Sequence, residues 1–292
     1  MIPAAFDYIA PQSLDEAVRA LAAHGEEAKL LAGGHSLLPL LKLRLANPKL
    51  LIDLSRIPGL GNIRQEGDKI VVGALATHYQ IESSGLLKTK CPLLPETARA
   101  IGDVQVRNRG TIGGSLTHAD PSADWPAAIL ALGGELKLSG PNGERRIAAE
   151  EFFLGTMATA IEPTEILTEI HVPVLVRRCG SAYLKMTQQA SGFAVVGVAA
   201  WLRPAQNGRC EDIGVGVTGL SEKPFRAHMV EERLRGNKLT PKLIEEGAVQ
   251  VAEGIEPLED LHASAKFRAH LAHVYTSRAI TEAAKRASGR AR

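Results

Sequence analysis

The sequence predicts an α+β protein, a two-lobed α/β domain followed by a smaller domain of antiparallel sheet packed on helices. Two features of order carry this. Helical and apolar strand segments alternate as far as Val172-Pro173, and beyond that point three strands come first and the helices follow. The third observation is size: 292 residues with 45% apolar composition can fill two cores of ordinary dimensions. The expected division is 1–176, with lobes of about 1–60 and 61–176, and then 177–292.

In the first lobe, Ser13-Leu14-Asp15-Glu16 reads as a capping box opening a helix with Leu14, Ala17, Val18 and Leu21 on one face. The runs Lys29-Leu30-Leu31-Ala32 and Leu50-Leu51-Ile52-Asp53 read as buried strands. The second lobe opens at the turn Glu66-Gly67-Asp68-Lys69, with Ile70-Val71-Val72-Gly73 as strand. Helices are expected at 79–84, 95–101 and about 124–132. Glu135-Leu136-Lys137-Leu138-Ser139 alternates as a half-exposed strand does, and Gly140-Pro141-Asn142-Gly143 turns the chain after it. In the last domain, strands are expected at 183–187, 194–202 and 213–217, with Pro204-Ala205-Gln206-Asn207-Gly208 as a hairpin turn. Helices follow at about 226–234, 241–253 and 264–286.

Three Gly-Gly pairs occur, about what 28 randomly placed glycines would give, so their settings must carry any argument. Ala32-Gly33-Gly34-His35-Ser36 follows a strand, and Ser36 can cap the short helix or turn 37–43. Thr111-Ile112-Gly113-Gly114-Ser115 is flanked by hydroxyls and runs on to Asp124-Trp125-Pro126. There Asp124 reads as an N-cap, with Pro126 in the first helical turn. Backbone without side chains lets amide N–H groups approach a phosphate, so two such loops suit the two phosphates of a dinucleotide. A side chain at Gly33 or Gly114 would then occupy the space where backbone and phosphate meet. Gly133-Gly134 lacks such a setting. Gly214-Val215-Gly216-Val217-Thr218-Gly219 matches GxGxxG, but no helix opens from it, so it reads as a glycine-rich strand in close packing.

The two glycine segments in this order resemble the AGGHS-like and TIGGN-like segments of the FAD-binding middle subunits of molybdenum hydroxylases, the carbon monoxide dehydrogenase and xanthine dehydrogenase type. The likeness extends from Phe6-Asp7-Tyr8 through Gln105 to Gly114, the stretch 118–126 and 166–173 to Tyr183-Leu184-Lys185. It implies an FAD domain of the vanillyl-alcohol-oxidase (PCMH) type, with non-covalent FAD held by Ala32, Gly33, Gly34, His35, Ser36, Thr111, Ile112, Gly113, Gly114 and Ser115. Ser115 stands where many members have Asn. By the same resemblance Asp124 accepts hydrogen bonds from the chain between flavin and adenine, and Leu167 and Lys185 lie against the flavin ring. It also implies an electron-transfer subunit without substrate chemistry of its own. Its partners would be a molybdopterin-bearing large subunit and a 2Fe–2S small subunit, in a hexameric complex. The alternatives are a self-sufficient flavin oxidase of the same fold and a nucleotide-binding regulatory module.

Composition excludes several other classes. A net charge of +2 and 4% aromatics leave no electrostatic or stacking footprint for nucleic acid. Cys91, Cys179 and Cys210 are widely spaced, so no cluster, zinc or disulfide framework is expected. His118 with Asp120 is read as shaping the approach to the next helix, and His262, His270 and His273 as solvated, with no ligand set around them. No basic n-region with a long apolar core and no membrane-length apolar run is visible, which makes the cytoplasm the expected location.

Overall fold

A computed structural model describes residues 2–175 and 178–289; the expected boundary at 176/177 and the end of the basic tail lie outside the described residues. The first lobe contains β1 (Asp7–Ile9), α1 (Leu14–His24), β2 (Ala28–Leu31), α2 (Leu37–Lys42) and β3 (Leu50–Asp53). Its sheet is parallel with order β1-β3-β2, and Ala17, Val18 and Leu21 of α1 share one core with Leu50 and Ile52. The Ser13 Oγ caps α1 by accepting from the Glu16 N–H, but Glu16 answers one residue early, accepting from the Gln12 N–H at 2.9 Å. Ser36 makes no side-chain cap on α2, contrary to expectation.

The second lobe runs β4 (Ile63–Glu66), β5 (Lys69–Gly73), α3 (His78–Ser83), α4 (Gly85–Lys90), α5 (Leu93–Ala100), α6 (Val104–Arg109), α7 (Ile112–His118) and α8 (Trp125–Ala131). It continues with β6 (Glu135–Gly140), β7 (Gly143–Ala148), α9 (Ala149–Phe152), the small pair β8 (Phe153–Gly155) and β9 (Ala158–Thr159), and β10 (Ile166–Pro173). The antiparallel order β4-β5-β10-β6-β7 inserts the last strand between the two hairpins. Both predicted turns are present, linking β4 to β5 and β6 to β7. The second glycine segment is a helix, not a loop. Thr111 caps α7 by accepting from the Gly114 N–H.

The last unit holds β11 (Gly180–Thr187), β12 (Ala194–Pro204), β13 (Cys210–Thr218), β14 (Phe225–Arg226), α10 (His228–Leu234), α11 (Pro241–Val249) and α12 (Ala265–Ala287). Its four strands pair antiparallel in chain order. Helix α12 covers β11 and β12, while α8 of the second lobe packs on β12 and β13. The GxGxxG match lies in this packing. A Cβ on Gly214 or Gly216 would strike the backbone of α8 at Ala131 or Ala127, so these glycines bring strand and helix together. No helix among the described residues is long and apolar enough to cross a membrane.

Candidate functional site

All three units contribute to one cleft of about 890 Å³, at the upper end of the range for small-molecule sites. From the first lobe comes the segment between β2 and α2. Gly34 has φ +76°, a left-handed turn that only glycine adopts without strain, and the Gly34 carbonyl accepts from the Leu38 N–H at 2.9 Å. The backbone N–H groups of Gly33, Gly34, His35 and Ser36 find no acceptor among the described residues. Four consecutive residues of the cleft wall thus carry unpaired donors, an arrangement of the kind that binds anions.

The second glycine segment differs. The Ile112 N–H donates to the Ala76 carbonyl at 3.0 Å, the Gly113 N–H to Ala74 at 2.8 Å and the Gly114 N–H to Thr111 Oγ1 at 3.1 Å. Its amides are spent inside the protein, against the expectation of two loops with free N–H groups. Its glycines serve contact instead. A Cβ on Gly113 would lie 2.9 Å from Ala74 Cα, and one on Gly33 would lie 2.8 Å from Gly110 Cα and closer still to the Arg109 carbonyl. Gly33 therefore seats the first lobe directly on the backbone that leads into α7.

Of the thirteen residues expected at a cofactor, eleven line this cleft and two, Ile112 and Lys185, do not. Ile112 is wholly buried in the core of the second lobe. Asp124 stands at the N-cap position of α8 with Pro126 in the first turn, as read, but its side chain makes no capping hydrogen bond. Its buried carboxylate accepts from the Tyr183 hydroxyl at 2.5 Å and meets Lys185 Nζ at 2.8 Å. Burial pushes the Asp124 carboxyl up against the opposing pull of Lys185. Lys185 Nζ also donates to the Gly192 carbonyl at 2.6 Å, which ties down the loop whose Ser191, Gly192 and Phe193 complete the cleft. Leu167, on β10, supplies an apolar wall, and Ser115 lines the cleft from α7.

The cleft is poor in cations: among the described residues Lys29 is the one lysine on its wall, and no arginine lines it. His118 and Asp120 also line it, and Asp120 Oδ1 accepts from the Ser122 N–H, shaping the turn before α8 as expected. Sequence reasoning missed His78. This imidazole, 4% exposed, lines the cleft from the start of α3, and its Nδ1 accepts from Trp125 Nε1 at 3.1 Å. Desolvation first, then His35 and Arg107, push its pKa down to about 4. Its partner lies 47 residues away, and no local pattern marks such a pair. Elsewhere His273 meets Glu245 at 2.7 Å, so a carboxylate does stand beside it, yet no metal-holding group of three or more His, Cys, Asp or Glu occurs among the described residues.

Comparison with known proteins covers nearly the whole chain. Residues 4–175 match the family described as the FAD binding domain in molybdopterin dehydrogenase, and residues 181–283 the CO dehydrogenase flavoprotein C-terminal domain. The carbon monoxide dehydrogenase medium chain of Hydrogenophaga pseudoflava is 41% identical over 97% of this chain and 98% of its own length. Among solved structures, reconstituted CO dehydrogenase from Oligotropha carboxidovorans superposes with TM-score 0.95 at 37% identity, over 98% of this chain and all of that one. Quinoline 2-oxidoreductase from Pseudomonas putida 86 superposes with TM-score 0.92 at 33% identity, over 98% and 99%.

Proposed function

The chain belongs to the family of FAD-binding subunits of the molybdenum hydroxylases, and we propose that within such a complex it relays electrons. In this reading it receives them from 2Fe–2S clusters on a small subunit, fed by a molybdenum-bearing large subunit, and hands them to an external acceptor. The complex is a cytoplasmic hexamer, two copies of each subunit. Bound FAD supplies a redox centre able to exchange electrons singly or in pairs. Everything else is positioning by this chain, with residues 1–176 forming the binding lobes and 177–292 closing the cleft.

The observation that carries the reading is the row of unpaired amides at Gly33, Gly34, His35 and Ser36, opening onto a cleft large enough for a dinucleotide. Neutral donors fixed in place can hold a pyrophosphate, and among the described residues the cleft wall carries one lysine, Lys29, and no arginine. Leu167 offers the flavin ring an apolar face. Asp124, at the cleft wall, holds Lys185 and through it the loop at Gly192. FAD is held non-covalently by Ala32, Gly33, Gly34, His35, Ser36, Thr111, Ile112, Gly113, Gly114, Ser115, Asp124, Leu167 and Lys185. Two of these act from behind the wall: Ile112 as the buried anchor of α7, and Lys185 through Asp124 and Gly192.

The test begins with the purified chain, which is expected to take up one FAD per protomer and release it intact on acid treatment. Loaded anaerobically and mixed with carbon monoxide, xanthine or an N-heterocycle, it is expected to keep its flavin absorbance unchanged until both partner subunits are added. Bleaching by the lone chain would make it a self-sufficient flavoenzyme and end the relay reading.

A further inference from the structure

Among the groups lining the cleft, His78 is a buried side chain with a polar atom left over. The indole N–H of Trp125 is a donor only, so the His78 Nδ1 at 3.1 Å must accept. A neutral imidazole then carries its proton on Nε2. That nitrogen has no hydrogen-bond partner among the described residues, yet it is not among the sealed, unpartnered atoms of the interior. His78 is part of the cleft wall, and this nitrogen is not sealed away from it.

Its location within the cleft follows from the glycines. The His78 backbone N–H donates to the Gly110 carbonyl at 3.0 Å, and the ring folds over Gly110 so tightly that a Cβ there would lie 2.7 Å from Nε2. Gly110 Cα is also the atom that Gly33 approaches. The His78 ring thus sits at the seam where the two glycine segments meet, with Gly33 and His78 each closing on Gly110.

We infer that His78 is a hydrogen-bond donor to the cofactor, its Nε2–H directed at a pyrophosphate oxygen of the bound dinucleotide, and that Trp125 holds it in the donating tautomer. This rests on the FAD-binding reading above and adds to it a side chain outside both glycine segments. The chemistry is consistent. A neutral donor meets an anion in a cleft that, among the described residues, has one lysine and no arginine, and the donor geometry is fixed before the ligand arrives, so little ordering cost accompanies binding. Protonating Nδ1 would set two N–H groups against each other at Trp125, which keeps the ring neutral across the physiological range and agrees with its lowered pKa.

The experiment uses the full chain stripped of FAD. Specific ¹⁵N labelling of histidine is expected to show His78 with a bare Nδ1 and a protonated Nε2 before FAD is added. On titration with FAD the Nε2–H signals move and the bare Nδ1 persists. In parallel, FAD affinity is measured by flavin fluorescence for His78→Leu and His78→Gln. Losing a neutral donor to a charged phosphate is expected to weaken FAD binding by roughly tenfold or more in His78→Leu. The glutamine carboxamide, which keeps a donor at similar reach, is expected to recover most of it. Because His78→Leu also strands the Trp125 N–H, the same pair of measurements is made in the Trp125→Phe background, where that cost is absent. Unaltered Nε2–H signals on saturation with FAD, or equal FAD affinity for His78→Leu and the parent chain, would overturn the inference while leaving FAD binding intact. Failure of the parent chain to bind FAD would overturn the functional reading itself.

Discussion

Replacing Gly33 by alanine is expected to separate two roles that glycine plays at this cleft. In the structure the added Cβ would not enter the cleft. It would lie 2.8 Å from Gly110 Cα and nearer still to the Arg109 carbonyl oxygen. Carbon–carbon contact is comfortable at about 3.5 Å, so the first lobe must back away from the second by roughly 0.7 Å or more. Backbone lines both sides of this contact and has no rotamer to change, so overpacking of about 1–3 kcal/mol is expected in the FAD-free chain. The same shift pulls the Gly33 to Ser36 amides off the ligand. Weakening two amide–phosphate bonds by about 1.5 kcal/mol each would lower FAD affinity roughly hundredfold. Thermal denaturation of the apo chain and fluorescence titration with FAD measure the two effects separately. Gly133→Ala is the control. Its φ of +59° makes alanine strained by about 1 kcal/mol, yet it lies outside the cleft, so affinity should hold while stability drops. If Gly33→Ala melts and binds FAD as the parent does, the lobes are not in contact through this residue and the reasoning fails.

Two further outcomes follow from the buried polar groups. The His78 pKa is about 4 folded against a usual 6.5, so between those values the unfolded chain binds the extra proton. Apo-chain stability should therefore be fully present above about pH 6.5 and fall as pH drops toward 4, by up to about 3 kcal/mol, with the His78→Gln chain lacking that component in urea titrations across this window. Asp124→Asn leaves the buried Lys185 ammonium without its carboxylate, at a cost of about 3–5 kcal/mol in denaturant midpoint comparisons. Adding Lys185→Met to Asp124→Asn should recover much of it, and a double variant no more stable than the single one would show that the pair is not the source.

How much of this was legible depends on how local each signal is. The alternating run at Glu135 to Ser139 and the turn after it folded as read, because strand period and turn chemistry are set by neighbours in sequence. β1 was missed: three residues make a strand only when β3, more than forty positions on, lies beside them. α7 was read as a loop since two glycines, a threonine and a serine are weak helix formers. What fixes it as a helix is tertiary, the acceptance of its first amides by Ala74 and Ala76. Asp124 before Trp125-Pro126 has the local pattern of an N-cap, but Tyr183 and Lys185 claim its carboxylate from some sixty residues away. Capping stabilises by about 1 kcal/mol, whereas a buried carboxylate without partners costs several, so the non-local pairing wins.

The two glycine segments look alike in sequence and do opposite work in the fold. In the first, Gly34 turns the chain through positive φ and four amides are left without acceptors, so binding capacity resides there. In the second, every amide from Ile112 to Gly114 is already satisfied, and its glycines remove side chains so that Ala74 can pack against α7. A symmetrical reading, one segment per phosphate, would assign both the same chemistry. The hydrogen bonds instead make the second segment a platform: it brings Gly110 under Gly33 and sets the His78 ring at the seam. On the readings proposed above, the donors that meet a phosphate there are the amides of one loop and the His78 imidazole N–H, neutral and fixed before the ligand arrives. A cleft built this way gains affinity from preorganisation rather than charge, so FAD binding should vary little with salt. Measured between 0.05 and 0.5 M potassium chloride, a loss of affinity of more than about tenfold would place a cation at the phosphates and contradict the division of labour between the segments.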